Sequence, residues 1–399
     1  MEPVHSLTVV LTSGCNLACT YCYRRNAARR SLAWPVLRRA LEWALAAPGG
    51  ELEVILTGGE PLLRYGVLHR AMVHLRGRSR GGRAVKLRVL TNGLLLNDDR
   101  LDFLAAQAVF VNLSCDGVAA AQDHRGTGTW PRLDRLLEVM ARRHPQWYAD
   151  HLQVTAVVTP ANLSHLAESV AYLCGKGVGT IALSPALTAV PGWNDDLRPQ
   201  LADQLRRVAD IARHLYETTG RMPLQAFRKY GQDEPGAAQN AKPCAALDSG
   251  NPALDVDGRL TSCLMFAPSG LDQDDPRLRE IAHDLDLGRV GGPGFEARRA
   301  SFATAVRNRE VFTSARELRS IHGRCRDCAA AATCRICPLS LLSCGRGRAP
   351  RTVPALLCAY HRLRAELRAD FPVQPDPRPP RVTAASIRQR REQWEARRP

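Results

Sequence analysis

Cys15, Cys19 and Cys22 stand at intervals of four and three residues in the segment Cys15-Asn16-Leu17-Ala18-Cys19-Thr20-Tyr21-Cys22. Thiolates so close together can wrap one metal cluster as a compact loop, and three of them leave one metal without a protein ligand. Soft sulfur ligands select iron–sulfur clusters, zinc or copper. A closed zinc site wants a fourth nearby ligand, and His5 is the only histidine at hand. An open-site cluster fits the spacing better. Further cysteines follow late in the chain: Cys244, Cys263, Cys325, Cys328, Cys334, Cys337, Cys344 and Cys358. They suffice for two four-ligand sites, and their paired Cys-x2-Cys knuckles would also suit structural zinc.

The elements around these residues read as repeated βα units. Leu7–Leu11, Val54–Thr57, Lys86–Leu90, Val109–Ser114, Val154–Val158 and Thr180–Leu183 are short apolar runs of strand length. Between them lie helical patterns such as Pro35–Ala46, Arg100–Gln107, Arg132–Arg142 and Leu163–Cys174. Parallel pairing needs such crossovers, and chemistry in α/β barrels gathers at the carboxyl ends of the strands. The first cysteines fall on one such end. Others carry Gly58-Gly59-Glu60-Pro61, Thr91-Asn92-Gly93, Ser114-Cys115-Asp116-Gly117 and Thr159-Pro160-Ala161-Asn162. Paired glycines allow close backbone approach, and Glu60 offers an acceptor for an ammonium group. Asn92, Gly93, Asp116 and Gly117 would equally serve as plain turn residues. Cys115 and Cys174 read as small core residues.

Taken together, the three-cysteine loop, with an aromatic residue before its third cysteine, and the Gly-Gly-Glu-Pro segment resemble the radical S-adenosylmethionine (SAM) superfamily. The resemblance implies that Cys15, Cys19 and Cys22 hold a [4Fe-4S] cluster whose unique iron is chelated by SAM. It implies that Gly58, Gly59 and Glu60 shape the methionine-amino pocket. Asn92, Ser114 and Asp116 would lie near the ribose or carboxylate, and Arg125 would pair with that carboxylate. The fold implied is α/β, a partial (β/α)6 TIM-like barrel. The late cysteines resemble the SPASM extension, a cysteine-rich domain with two auxiliary [4Fe-4S] clusters. By that resemblance Cys244, Cys263 and Cys337 serve the first, and Cys325, Cys328, Cys334 and Cys358 the second. Only two residues separate Cys334 from Cys337 where the family usually has three. Cys344 therefore completes the first auxiliary site, replaces Cys337 in it, or leaves one iron open.

The chain has 399 residues, enough for one large domain and a smaller one. The expected division is a radical SAM barrel over 1–190, a helical bridge over 191–243, an iron–sulfur domain over 244–365, and a proline-rich segment with a basic C-terminal helix over 366–399. The formal charge is +16. Arginine carries nearly all of it, since Lys86, Lys176, Lys229 and Lys242 are the only lysines. No aromatic-and-basic alternation of the kind that stacks bases stands out, so nucleic acid is not an expected partner. The charge favours an acidic peptide or redox partner instead. No apolar run of membrane-spanning length and no secretory start are seen, and cysteines grouped for metal suit a reducing compartment; a cytoplasmic location without membrane contact is expected.

The resemblance implies that a one-electron donor, flavodoxin- or ferredoxin-like, reduces the first cluster, and that SAM then yields a 5′-deoxyadenosyl radical. SPASM proteins act mostly on peptides, so the leading expectation is an oxidative crosslink in a ribosomally made precursor peptide. The first strand begins almost at Met1, leaving no room for an appended leader-binding domain; a separate recognition protein or the C-terminal tail would capture the leader. Other expectations are a radical dehydrogenase of a small molecule or cofactor precursor, formylglycine formation on a sulfatase, and a non-enzymatic zinc or iron–sulfur scaffold. Sulfatase maturases place aspartate immediately after the cysteine matching Cys263, where this chain has Leu264. Asp248, Asp255 and Asp257 lie nearby and read as turn residues.

Overall fold

A computed structural model describes residues 2–24, 29–78, 82–187, 190, 192–229, 249–271, 275–307, 328, 334, 337, 339–340 and 355–374. Each apolar run read from the sequence forms a strand, extended at most two residues beyond its expected ends. The order is β1 (Ser6–Val10), α1 (Trp34–Ala46), β2 (Leu52–Thr57), α2 (Tyr65–Arg78), β3 (Val85–Thr91), α3 (Asp98–Ala106) and β4 (Phe110–Ser114). It continues with α4 (Ala119–Gln122), α5 (Trp130–Arg143), α6 (Pro145–His151), β5 (Leu152–Val158), α7 (Leu166–Gly175), β6 (Thr180–Pro185) and α8 (Arg198–Thr219). Then come β7 (Ala253–Leu254), β8 (Arg259–Thr261), α9 (Pro276–Asp284), β9 (Asp286–Arg289), α10 (Phe295–Arg307) and α11 (Ala355–Ala369).

Strands β1 to β6 lie side by side in chain order, each parallel to the next. This is the incomplete (β/α)6 barrel. On the free side of β1 the sheet continues with β7 in parallel, then β8 and β9 antiparallel. The turn between β7 and β8 is the Asp255-Val256-Asp257-Gly258 segment. Gly258 N–H donates to Asp255 O at 2.9 Å, and Gly258 takes φ +84°, a conformation that suits only glycine readily. Helix α2 was not among the expected helices. Gly66 and Gly77 within it lower its intrinsic propensity, and burial of Leu68, Ala71, Met72 and Leu75 overrides that.

Residues alternate along β3, β4 and β5 between buried and half-exposed positions. The buried set (Val89, Val111, Leu113, Val154) packs under the helices. The other set faces the lumen, and its incomplete burial is what an unclosed barrel predicts, since a closed one fills its interior with apolar layers. Register places Leu90, Asn112, Gln153 and Thr180 in one lumenal row, and Ser114, Thr155 and Ala182 in the row above. Lower down, Glu53 accepts from Arg88 Nε at 2.9 Å, and Lys86 and Arg88 lie over the Phe110 ring at 4.5 and 5.4 Å. Two cations over an aromatic face, one of them paired with Glu53 at 2.9 Å, line the lower lumen. At the open edge, α11 lies against α8, and Tyr360 donates its hydroxyl to Leu183 O of β6 at 3.0 Å.

Cys244, Cys325 and Cys344 lie outside the described residues, as do the polar stretch 231–236, the expected helix 384–398 and residues 375–380 of the proline-rich segment. No helix among the described residues is long and apolar enough to cross a membrane.

One buried cation ties three elements together. Arg76 of α2 donates to Val85 O at the start of β3 and to Gln107 O after α3, both at 2.6 Å. Burial lowers its pKa to about 10. Replacing it with methionine keeps the bulk and strands both carbonyls. Arg76→Met should lower the unfolding free energy by about 2 kcal/mol, a lost pair of charge-assisted bonds offset by relieved desolvation. Chemical denaturation checks this, and an unchanged midpoint would contradict it.

Candidate active site at the cysteine loop

The loop after β1 is seated on the end of β2 by backbone contacts. Gly59 N–H donates to Thr12 O at 2.8 Å, and Glu60 N–H donates to Gly14 O at 2.9 Å. A Cβ on Gly58 would sit 2.2 Å from Thr12 O, and one on Gly59 would sit 2.2 Å from Gly14 O. The paired glycines are therefore required by protein–protein approach: they let the end of β2 lie flat against the base of the cysteine loop. From the other side, Thr12 Oγ1 donates to Arg30 O at 2.9 Å and Ser13 Oγ accepts from Arg30 N–H at 2.8 Å.

Glu60 is fully buried where this seat meets β3. Its Oε1 accepts from Leu62 N–H at 3.0 Å and Thr91 Oγ1–H at 2.8 Å, and its Oε2 accepts from Asn92 N–H at 2.8 Å. Burial pushes the carboxyl's pKa up while those donors hold it down. One oxygen keeps more acceptor capacity than the protein uses. Asn92 extends the connection toward the thiols. Its Nδ2 donates to Asn16 Oδ1 at 2.8 Å and lies 4.0 Å from Cys15 Sγ. Leu17 N–H also points at Cys15 Sγ, at 3.4 Å.

The opposite flank carries a buried ion pair. Arg125 donates to Asp116 Oδ1 at 2.9 Å and to Thr155 O at 3.2 Å. Asp116 also accepts from Val157 N–H at 2.9 Å and from the Tyr21 hydroxyl, while its own N–H donates to Gln122 Oε1 at 3.0 Å. Arg125 lies 5.4 Å from the Tyr21 ring centroid, and its buried Nε has no partner. Asp116 and Arg125 are thus one unit, clamped on the aromatic residue between Cys19 and Cys22. Tyr21 as the partner of Asp116 was not anticipated; its place inside the cysteine motif was the available signal. Ser114 is half-buried in the upper lumenal row beside this pair.

All three loop cysteines are partly exposed, and none forms a disulfide. Burial pushes Cys19 up to about 11 even though Arg125 pulls it down, and burial likewise raises Cys15. The charges of Cys22 and Glu60 add to the rise at Cys15, and those of Cys22 and Cys15 to the rise at Cys19. No group of three Cys, His, Asp or Glu among the described residues converges tightly enough for a single ion. The N–H groups aimed at Cys15 Sγ suit a thiolate ligand, the form in which cysteine binds an iron–sulfur cluster. The donor set fits the expected cluster.

A second tie runs from this loop to the β7–β8 turn. Arg24, two residues past Cys22, donates to Ser269 Oγ at 2.7 Å. Ser269 gives both its hydroxyl and its N–H (2.8 Å) to Asp255, which also caps Val256 N–H at 2.8 Å. Asp257 accepts from Arg259 N–H at 2.9 Å and keeps its turn role. Asp255 does more than turn the chain, and Arg24 is a link that sequence reading missed. Cys263, Cys328, Cys334, Cys337 and Cys358 are all partly exposed, and Cys263 and Cys337 pack against the apolar core. Leu264 opens a short 3-10 turn, Leu264–Phe266, immediately after Cys263.

A profile of the radical SAM superfamily matches residues 9–173. The chain is 27% identical over 285 residues to a probable GTP 3′,8-cyclase of Methanopyrus kandleri, covering 68% of this chain and 85% of that protein. It is 23% identical over 281 residues to a serine-type anaerobic sulfatase-maturating enzyme of Klebsiella aerogenes, covering 65% and 66%. Among solved structures, anSMEcpe with bound AdoMet and Kp18Cys peptide has the same fold. The TM-score is 0.67 at 16% identity, over 92% of this chain and all of that one.

The Asp116–Arg125 pair generates a prediction independent of any cofactor. Asp116→Asn keeps shape but leaves a buried guanidinium without its counter-charge. The unfolding free energy should fall by about 3–5 kcal/mol. Denaturant titration of the cluster-free chain measures it, and a loss below about 1 kcal/mol would show that the pair is not buried as described.

Proposed function

Residues 9–173 place the chain in the radical SAM superfamily, and on that premise we propose that this SPASM-type oxidoreductase binds SAM and removes hydrogen from a side chain of a peptide or protein. The observation that carries the reading is the position of three thiols on one loop above a polar lumen that the barrel leaves incompletely covered. Cys15, Cys19 and Cys22 would hold the [4Fe-4S] cluster. When bound, that cluster and SAM supply a carbon-centred radical able to take hydrogen from an unactivated carbon.

The chain's own residues do the positioning. Glu60, Gly58 and Gly59 fix the loop relative to β2 and β3, and the remaining acceptor capacity of Glu60 suits an ammonium group. Arg125, with a buried N–H unused, suits a carboxylate close to Tyr21. Asn92, Ser114 and Asp116 complete a polar ring around that space. Below it, Asn112 and Thr155, joined at 2.7 Å, offer hydrogen-bonding groups to orient a substrate side chain. Glu53, Lys86, Arg88 and Phe110 line the lumen lower down. The later cysteines, Cys244, Cys263, Cys337 and Cys344 for one auxiliary cluster and Cys325, Cys328, Cys334 and Cys358 for the other, would accept the electron left on the substrate.

Likeness to a serine-type anaerobic sulfatase-maturating enzyme favours oxidation of one residue, such as a serine to an aldehyde, over a crosslink. One residue speaks for the crosslink: Leu264 is aliphatic where sulfatase maturases carry aspartate. Likeness to a GTP 3′,8-cyclase leaves a small-molecule substrate as the third reading.

Loss of two hydrogens does not separate the first two outcomes, because serine-to-aldehyde oxidation and crosslinking both produce it. Trapping with a hydroxylamine does. The anaerobically reconstituted chain should oxidise a serine-containing sulfatase-type peptide by two hydrogens and render it oxime-forming. Two-hydrogen loss without an oxime would transfer the assignment to a crosslink. SAM cleavage with no change in any sulfatase-type peptide or neighbouring-gene precursor peptide would contradict a peptide substrate.

A further inference from the structure

Among the described residues three large apolar side chains stand exposed, and two of them lie on one outer face of the barrel: Val73 (51%) lines a groove there, and Leu63 (46%) lines the hollow beside it. The groove runs between α1 and α2, has a volume of about 600 Å³, and adjoins the smaller hollow, of about 380 Å³, at the upper end. Trp34 lies in both. Arg70 stacks over its indole at 4.4 Å, and His74 meets it edge-on at 5.8 Å. Glu42 is the one carboxylate in the lining and is already taken by His74 at 2.9 Å and Arg78 at 3.1 Å. Arg38, Arg64 and Arg70 have no carboxylate partner among the described residues. Clustered exposed apolar groups mark an interaction face, and tryptophan with arginine is the pairing that dominates such faces.

Charge and place together identify the occupant. Three guanidinium groups without a carboxylate partner among the described residues, on a chain of formal charge +16, select an acidic partner. The groove opens on the helical exterior, so a peptide side chain held there points away from the lumen where hydrogen would be removed. An electron needs no such access. Trp34 is three residues from Ser31, whose hydroxyl donates to Thr12 Oγ1 at 3.1 Å at the base of the cysteine loop. Leu63 is three residues from Glu60, on the other side of the same seat. Both walls at the upper end therefore lead to the thiols through short covalent and hydrogen-bonded paths. We propose that the Trp34–Arg38–Arg64–Arg70 groove docks an acidic one-electron carrier, a flavin or iron–sulfur protein. It would deliver its electron through the Thr12–Gly14 seat to the cluster held by Cys15, Cys19 and Cys22. The carrier is oxidised by one electron and the cluster reduced by one, with no proton moved. This rests on the cluster assignment above.

The test separates docking from cluster chemistry. Binding of an oxidised acidic flavodoxin to the full chain is measured by calorimetry at low and moderate salt. The comparison is between Arg38→Glu/Arg70→Glu and a charge-matched pair on another exterior helix, Arg132→Glu/Arg142→Glu. The groove pair should weaken binding at least about tenfold and flatten its salt dependence, and the matched pair should change it less than about twofold. SAM cleavage driven by dithionite should be the same in all three proteins, while cleavage driven by reduced flavodoxin should fall only in the groove variant. Equal weakening by both pairs, or undiminished flavodoxin binding with lost affinity for substrate peptide, overturns the proposal. Failure of dithionite-driven cleavage in the unaltered chain would instead refute the reading of the cysteine site.

Discussion

The site depends on a close approach of two backbones. The end of β2 meets the base of the cysteine loop where Gly58 and Gly59 leave no room for a side chain, and two N–H groups close the contact. One of the loop's three supports radiates from that seat. Glu60 carries it across to β3 through Thr91 and Asn92, and Asn92 returns to the loop at Asn16. Such a seat is stiff because its members are main-chain groups or a carboxylate with three donors, and a buried carboxylate persists only when its donors are supplied.

A different principle governs the facing flank. There Tyr21 belongs to the loop, whereas Asp116 and Arg125 belong to the end of β4 and the turn after α4. A charge pair of this kind costs desolvation and repays it only with good geometry, so it contributes more to placement than to stability. The charge of Arg125 also opposes the burial that raises the pKa of Cys19. The third support, Arg24 through Ser269 to Asp255, joins the loop to the β7–β8 turn. The cysteine loop is thus held from three directions by three unlike interactions, and it remains open toward the lumen.

Much of this was legible in the residues. The six strands of the barrel were readable because apolar runs of strand length alternate with helical periodicity, and polar ends on those strands pointed to the mouth. The cysteine spacing and the Gly-Gly-Glu-Pro segment located the site. What sequence did not convey was who pairs with whom. Asp116 and Arg125 read as two separate contacts, yet fold geometry makes them one pair on Tyr21. Asp255 read as a turn residue, but the backbone delivers Ser269 to it from fourteen residues away. Helix α2 escaped notice because its glycines dilute the pattern, and with it the exterior groove, which needs both α1 and α2 to exist.

Cys15, Cys19 and Cys22 are proposed to hold a cluster that leaves one iron for the sulfonium cofactor. Electron paramagnetic resonance of the anaerobically reconstituted and reduced chain tests this most directly, with and without added SAM. A reduced [4Fe-4S] signal that changes shape when SAM is added, and that Cys19→Ala removes, is the result expected. A signal indifferent to SAM, or a tetrahedral zinc bound by those thiols in its place, would contradict the account.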